Sequence, residues 1–372
     1  MTTSKDRELF LAEDVLPGHP DRLADAVAEA IVDCAVADDP TALVGVEVGV
    51  HRKVVFVTGR VACWPDGPLG LDLDELVHAV YAGAGYVGPW ALSPQVIADL
   101  DLCAMSGEED SIRGFSDDQS ITVGHACGGP GTGFLPPVVF AVRAFKEALW
   151  ECRRSHPDVL GPDGKVMVSL ARQGKRYRLE HLCVSIQHAP GLSAEEQHRL
   201  VLPALEQVAA RLEPALPGLT ASWSPGVVRL NGAGEFSCGG PHGDNGLSGK
   251  KLVVDHYGPG VPIGGGALCG KDPHKVDRVG ALRARQLAVR LVRDAGLPEA
   301  TVWLGWQPGR EAPDVVFARS GARFIERAEI ERLVTVPDLS IRGTFRELEL
   351  QGVRWAEVQR AGYFGRGLAW EV

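Results

Sequence analysis

Between Gly239 and Arg278 the chain carries eleven glycines in forty residues, GGPHGDNGLSGKKLVVDHYGPGVPIGGGALCGKDPHKVDR. Glycine loses the most backbone entropy on ordering and offers no side chain to pack, so such a stretch is not a long helix or a central strand. It must be held by its surroundings. What it gains is a backbone that lies close to a ligand and turns N–H groups toward an anion. Lys250, Lys251, Lys271, Lys275 and Arg278 stand in the segment as cations suited to phosphate, with Asp244, Asp272 and Asp277 among them. Mg²⁺ favours one or two carboxylates plus phosphate oxygens, so the mixture predicts a phosphate-binding pocket with magnesium. Gly265 to Lys271 fits GxxxxGK, but Asp272 follows where a P-loop needs Ser or Thr, and no strand–loop–helix unit surrounds it. A P-loop is therefore not the reading.

The rest of the chain alternates strand and helix patterns. A helix opens at Gly18-His19-Pro20-Asp21 and runs to about Ala37, with Leu23, Val27, Ile31 and Ala35 at helical spacing and Asp38-Asp39-Pro40 ending it. Strands are expected at 42–50 and 54–61, a helix near 73–82, and a polar connector over 106–118. A helix at 138–153, strands at 165–171 and 181–188, and a helix at 194–212 follow. Further strands are expected at 251–255, 301–306 and 314–318, with helices at 276–295 and 325–333. The pattern makes an α+β protein with sheets covered by helices. A net charge of −10 excludes a broad basic face for nucleic acid. No apolar run approaches a membrane span and Met1 to Phe10 is polar, so no membrane partner and a cytoplasmic location are expected. The eight cysteines form no CxxC pair and read as reduced thiols.

Taken alone, His19-Pro20-Asp21 is good helix initiation, although the positive end of a helix dipole also suits phosphate. In combination, three segments resemble the signatures of S-adenosylmethionine synthetases. They are Gly18-His19-Pro20-Asp21, Gly240-Pro241-x-Gly243-Asp244-x-Gly246-Leu247-Ser248-Gly249-Lys250-Lys251, and Gly264 to Arg278. Asp118-Gln119, Asp163-Gly164-Lys165, Ser185-x-Gln187-His188, Tyr363-x-Gly365-Arg366 and Trp370-Glu371 extend the likeness over essentially the whole chain.

The resemblance implies three pseudo-threefold-related α+β domains, taken here as residues 8–106, 114–236 and 238–372. It implies a homodimer or homotetramer with active sites shared between subunits. The implied reaction is attack of methionine sulfur on C5′ of ATP, giving S-adenosylmethionine, phosphate and diphosphate. By the same resemblance His19 contacts the triphosphate near the scissile bond, and Asp21 and Asp277 hold Mg²⁺, two ions per site. Lys165, Lys250, Lys251, Lys271 and Lys275 neutralise phosphates. Asp163, Asp118 and Asp244 meet ribose, methionine or local cations, while Ala267 and Phe236 line the nucleotide pocket. Glu47 matches a glutamate that helps hold K⁺, and reads equally as a solvent-facing strand carboxylate.

Several departures from the family pattern fall on the acceptor side. Arg60 replaces a glutamate that helps hold methionine, Glu235 replaces an arginine, and Arg22 and Ile263 replace a lysine and a histidine. A short acidic stretch, Gly107-Glu108-Glu109-Asp110, stands where the family has a lysine-glutamine-serine motif and a long gating loop. Three readings stay open: a methionine adenosyltransferase with rearranged contacts, a relative using another, anionic acceptor at Arg60, and an inactive regulatory homologue. Arg60 and Glu235 could also pair with each other and cancel both changes.

Overall fold

In the computed structural model, which describes residues 7–68 and 70–372, twelve strands form three four-stranded sheets. The first sheet orders β1 (Arg7–Val15), β6 (Leu160–Gln173), β7 (Arg176–His188) and β8 (Val228–Leu230). The second orders β4 (Gln95–Ala104), β3 (Val54–Cys63), β2 (Leu43–His51) and β9 (Gly246–Leu247). The third orders β12 (Arg323–Glu326), β11 (Val315–Ser320), β10 (Glu299–Trp306) and β5 (Ser120–Cys127). Each sheet thus mixes strands far apart in sequence.

One face of each sheet is covered by long helices, which bury its alternate residues. Helix α1 (Pro20–Asp38) packs on β2, where Val44, Val46, Val48 and Val50 point inward. Helix α2 (Leu73–Gly83) adds to that layer. Helices α3 (Pro137–Ser155) and α4 (Ala194–Leu212) pair with each other, and α3 packs against β1 and β6. Helix α5 (Val276–Arg293) lies on β5 and β10. No helix among the described residues is long and apolar enough to cross a membrane.

The other face of the second sheet is open. Ile97, Phe56, Gly49 and Leu247 form one row across its four strands, and the three side chains are 46%, 42% and 54% exposed. Four residues further along, Asp101, Arg60, Gly45 and Lys271 form a second row, the last through an isolated bridge to Gly45. An apolar row and a charged row therefore lie about 13 Å apart at the rise of a strand, with Asp99, Thr58 and Glu47 between them.

Most elements fall where the apolar periodicity puts them, but residues 251–255 do not. The run Leu-Val-Val there reads as a strand, yet Leu252–Asp255 is a helical turn because Asp255 and Val254 pack inward beside Arg22 and Arg143 rather than on a neighbouring strand. The expected helix over 325–333 begins as strand β12 and turns helical only at Arg327. The connector after residue 106 contains a short helix, Gly107–Ser111, opened by a capping box in which Ser106 and Glu109 satisfy each other's backbone N–H groups.

Candidate active site

His19 caps α1 because Pro20 presets the first helical φ and the His19 Nδ1 accepts the Asp21 N–H at 3.2 Å. An imidazole that accepts at Nδ1 carries its proton on Nε2. Burial, followed by the charges of Lys165 and Lys251, drives the His19 pKa down to about 3, so this ring is neutral at ordinary pH. Asp21 is 1% exposed, yet its carboxylate meets Lys251 Nζ at 2.8 Å and Lys250 Nζ at 3.6 Å. It also accepts the Leu247 N–H at 3.1 Å. Burial raises this carboxyl, but the Lys251 and Leu247 hydrogen bonds outweigh it and hold it below the usual range.

Leu247 and the lysines reach Asp21 because Gly246 lies directly on the helix start. A Cβ at Gly246 would come within 2.1 Å of the Pro20 carbonyl carbon, so no other residue fits. Lys165 arrives from β6, where it pairs with Val15 just before the helix. Asp163, two residues earlier, is buried and accepts the Gly240 N–H at 2.8 Å. Burial pushes its pKa up to about 6, against the pull of that hydrogen bond and of Lys165. Asp244 is exposed but its charge is felt by both His19 and Asp163. Phe236 borders the same end through the Gly239 backbone and hydrogen bonds with His188. His19, Asp21, Asp163, Lys165, Asp244, Lys250 and Lys251 therefore gather at one helix N-terminus.

The remaining predicted cations form a second group. Strand β2 would be an edge, but the glycine-rich segment closes it: the N–H groups of Val44, Val46 and Val48 donate to Asp272, to Gly270 and to Ser248. Asp272, the residue that spoils the P-loop pattern, is a buried anchor taken up by Arg113 and by the backbone of Val44 and His274. Lys271, beside it, points instead to Asp277 at 2.5 Å, and Ser120 Oγ donates to the same carboxylate at 2.5 Å. Gly266 leaves room for that carboxylate, since a Cβ there would sit 2.3 Å from Asp277 Oδ2. Lys275 pairs with Asp117, whereas the Asp118 side chain accepts the N–H of Gln119. Glu47 stands between the two groups on β2 and accepts from Ser248 Oγ at 3.2 Å. Ala267 touches Gly249, where the two halves of the glycine-rich segment meet.

On the acceptor side, Arg60 does not meet Glu235. Its guanidinium pairs with Asp101 on the neighbouring strand and with Glu109 of the short helix at 2.8 Å, and Glu235 is exposed elsewhere. The charge introduced at Arg60 is thus already balanced by two carboxylates of the same chain. Arg22 likewise turns away from phosphate, to Asp25 at 3.0 Å and Asp255 at 2.5 Å.

No three His, Cys, Asp or Glu side chains cluster as a metal site among the described residues. Asp21 and Asp277 each present a single carboxylate, which is the share Mg²⁺ takes when phosphate oxygens supply the rest, so these residues fit it. Sequence reasoning missed Asp25, Asp117, Ser120 and Ser248. Asp117 and Ser120 lay inside the polar stretch that also carries Asp118-Gln119, and only the fold decides which of these neighbours faces a lysine.

Residues 7–96 match the N-terminal domain of S-adenosylmethionine synthetase and residues 238–372 match its C-terminal domain. The chain is 32% identical to an S-adenosylmethionine synthase of Paramagnetospirillum magneticum, over 99% of this chain and 97% of that one. It is 33% identical to S-adenosylmethionine synthase 2 of Rhodospirillum rubrum, over 98% and 95%. A solved S-adenosylmethionine synthetase from Campylobacter jejuni, described as unusual, superposes with a TM-score of 0.84 at 26% identity, covering 98% of this chain and 96% of that one. With both terminal domains matched and full-length relatives above 30% identity, the chain belongs to the S-adenosylmethionine synthetase family.

Proposed function

We infer that this protein is a methionine adenosyltransferase that joins ATP and methionine into S-adenosylmethionine. The observation that carries this reading is the group of three lysines, a neutral histidine and a buried aspartate at the α1 N-terminus, with Lys271 beside β2 and Asp277 in the first turn of α5. A thioether sulfur is already nucleophilic, so the displacement at C5′ needs no general base. The sulfur forms its bond to C5′ as the C5′–O bond breaks, and the electron pair leaves with the triphosphate. The barrier lies in charge on that leaving group, which fixed cations stabilise without reorganising. Lys165, Lys250 and Lys251 are set to take it up, and His19 Nε2–H donates toward the oxygen that departs. Asp21 and Asp277 would each hold Mg²⁺, which screens phosphate charge when bound. Glu47 would contribute to a K⁺ site. Water then hydrolyses the triphosphate to phosphate and diphosphate.

The exposed row Ile97, Phe56 and Leu247 supports a second copy covering the open sheet face, with active sites completed between subunits. Arg60 offers an anionic acceptor little, because Asp101 and Glu109 already occupy its guanidinium; this favours methionine over the alternative acceptor. Mass spectrometry of products from ATP, Mg²⁺, K⁺ and methionine should find the adenosyl sulfonium. Adenosine alone, or unchanged ATP, would overturn the reading.

A depressed His19 pKa has its own consequence. The ring is neutral well above pH 3, so it contributes no acid limb near pH 6.5 to the rate profile. His19→Asn, which keeps a polar N–H, is expected to lower kcat by about 10²-fold without moving the acid limb. A wild-type limb near pH 6.5 that vanishes in this variant would show that the ring titrates during turnover.

A further inference from the structure

Helix α1 presents Arg22 and Ala26, one turn apart, to a cavity of about 200 Å³ bounded also by β1, α2, α3 and the C-terminal helical turn Trp355–Ala361. A single ordered water needs only about 10–15 Å³ by this kind of measure, so the space is sized for a small organic molecule. It contains none of the residues assigned to ATP or methionine.

Five charged groups of its wall are almost fully buried. Asp14, Arg22, Arg143, Lys146 and Asp255 are each no more than 8% exposed. Four of these charges form two opposite pairs, and Arg143 is left over. Asp255 is held by Arg22, and Asp14 accepts the N–H of Val15 at 2.8 Å and lies 3.6 Å from Lys146 Nζ. Arg143 donates only to the backbone carbonyls of Phe364, Val254 and His256, and no carboxylate lies within ion-pair distance of it among the described residues. The Gln359 amide nitrogen, in the same wall and 5% exposed, has no hydrogen-bond partner. One Asp255 oxygen is also unpartnered, which leaves a place for one donor on a ligand. A buried guanidinium facing only neutral acceptors, an ammonium with one distant partner and an idle amide N–H together ask for an anion. Val80, Val254 and Ala26 supply apolar wall, while Glu357 and Arg360, both exposed and of opposite charge, also line it.

We propose that this cavity is a binding site for a small organic carboxylate, its apolar body against Val80, Val254 and Ala26 and its charge toward Lys146, Arg143 and Gln359. The site is joined to the phosphate cluster. Arg22 pairs with Asp25, and Asp25 accepts the Gly249 N–H at 2.8 Å, next to Lys250. Occupancy and nucleotide binding then influence each other reciprocally.

Calorimetric titration of the full chain with 3-methylbutanoate, 4-methylpentanoate and benzoate tests this, with the neutral amide of each and inorganic phosphate as controls. At least one carboxylate should bind saturably at one site per chain, tenfold or more tighter than its amide and than phosphate. Lys146→Met should weaken that binding tenfold or more, Lys146→Arg should retain it, and Ala26→Leu, which fills the cavity, should remove it. Thermal melts without ligand show which variants fold, and if Lys146→Met does not, the comparison rests on wild type and Ala26→Leu. Lack of saturation by every carboxylate, equal binding of the amides, or undiminished binding in folded Lys146→Met or Ala26→Leu would overturn the proposal. Because binding is read without turnover, this result is separate from whether methionine is the acceptor. A raised or lowered ATP KM in the presence of the bound carboxylate, absent in Lys146→Met, is the expected sign of coupling; an unchanged KM would reject the coupling.

Discussion

Lys271→Ala and Asp277→Ala are each expected to lower ATP-dependent turnover by about 10²–10³-fold or more while the protein melts close to wild type. Both side chains are partly open to solvent, at 25% and 21%, and they hold chiefly each other and Ser120. A pair of that exposure contributes about 1 kcal/mol or less to stability, so its loss leaves the fold in place. The same two groups have the chemistry to hold phosphate and Mg²⁺, where charge is concentrated in the transition state. Kinetics at saturating methionine beside thermal melts would separate the two effects. Turnover within a few-fold of wild type in either variant would sink the assignment of this lysine–aspartate pair to the active site. Mixing Lys271→Ala with Asp21→Ala subunits should restore part of the activity if one subunit supplies the α1 cluster and the other the Lys271–Asp277 pair. An inert mixture of subunits that do exchange would place both clusters in one subunit's own site.

The largest stability effect is expected far from any ligand. Arg278 and Glu29 are both fully buried and paired at 2.6 Å. The guanidinium also stacks on Trp355, 4.0 Å from the ring centroid, and donates to the Leu268 carbonyl, while Tyr363 donates to Glu29. Glu29→Ala leaves the guanidinium buried with one neutral acceptor and a ring face, and should cost about 3–5 kcal/mol. Replacing both partners, as Glu29→Leu with Arg278→Met, should recover much of that loss, because an apolar pair carries no desolvation penalty. Denaturant unfolding of the single and double variants is the measurement. A single variant within 1 kcal/mol of wild type, as an order of magnitude for a minor contact, would mean that water reaches Arg278. This pair explains why Arg278, although it stands among the candidate phosphate cations in sequence, faces the core: it fastens α5 to α1 from inside.

The local chemistry was readable residue by residue. His19-Pro20-Asp21 at a helix start, the glycines of 239–278 and the lysines between them suggest a phosphate site because each residue type has a restricted use: proline sets a first turn, glycine permits contact, lysine neutralises. The periodicity of α1, α3, α4 and α5 was equally plain, since a helix that buries one face must repeat every three to four residues. Residues 251–255 were misread because a run of Leu-Val-Val buries its side chains equally well in a strand or a helical turn, and only the partners at Arg22 and Arg143 select one.

Tertiary structure alone decided the partners of charges. The change at Arg60 suggests an anionic acceptor when the chain is read as a string, but β4 brings Asp101 alongside and the capped helix brings Glu109 over it, so the charge is balanced within the chain. Asp117 rather than Asp118 faces Lys275, a choice between neighbours that depends on which way the backbone turns at the end of a loop. Residue types and their order determined which chemistry this protein can perform, because those are properties of side chains and local backbone. Which charges remain free to perform it was decided by contacts between segments some 40 to 250 residues apart, because electrostatic balance depends on distance in space and not on distance along the chain.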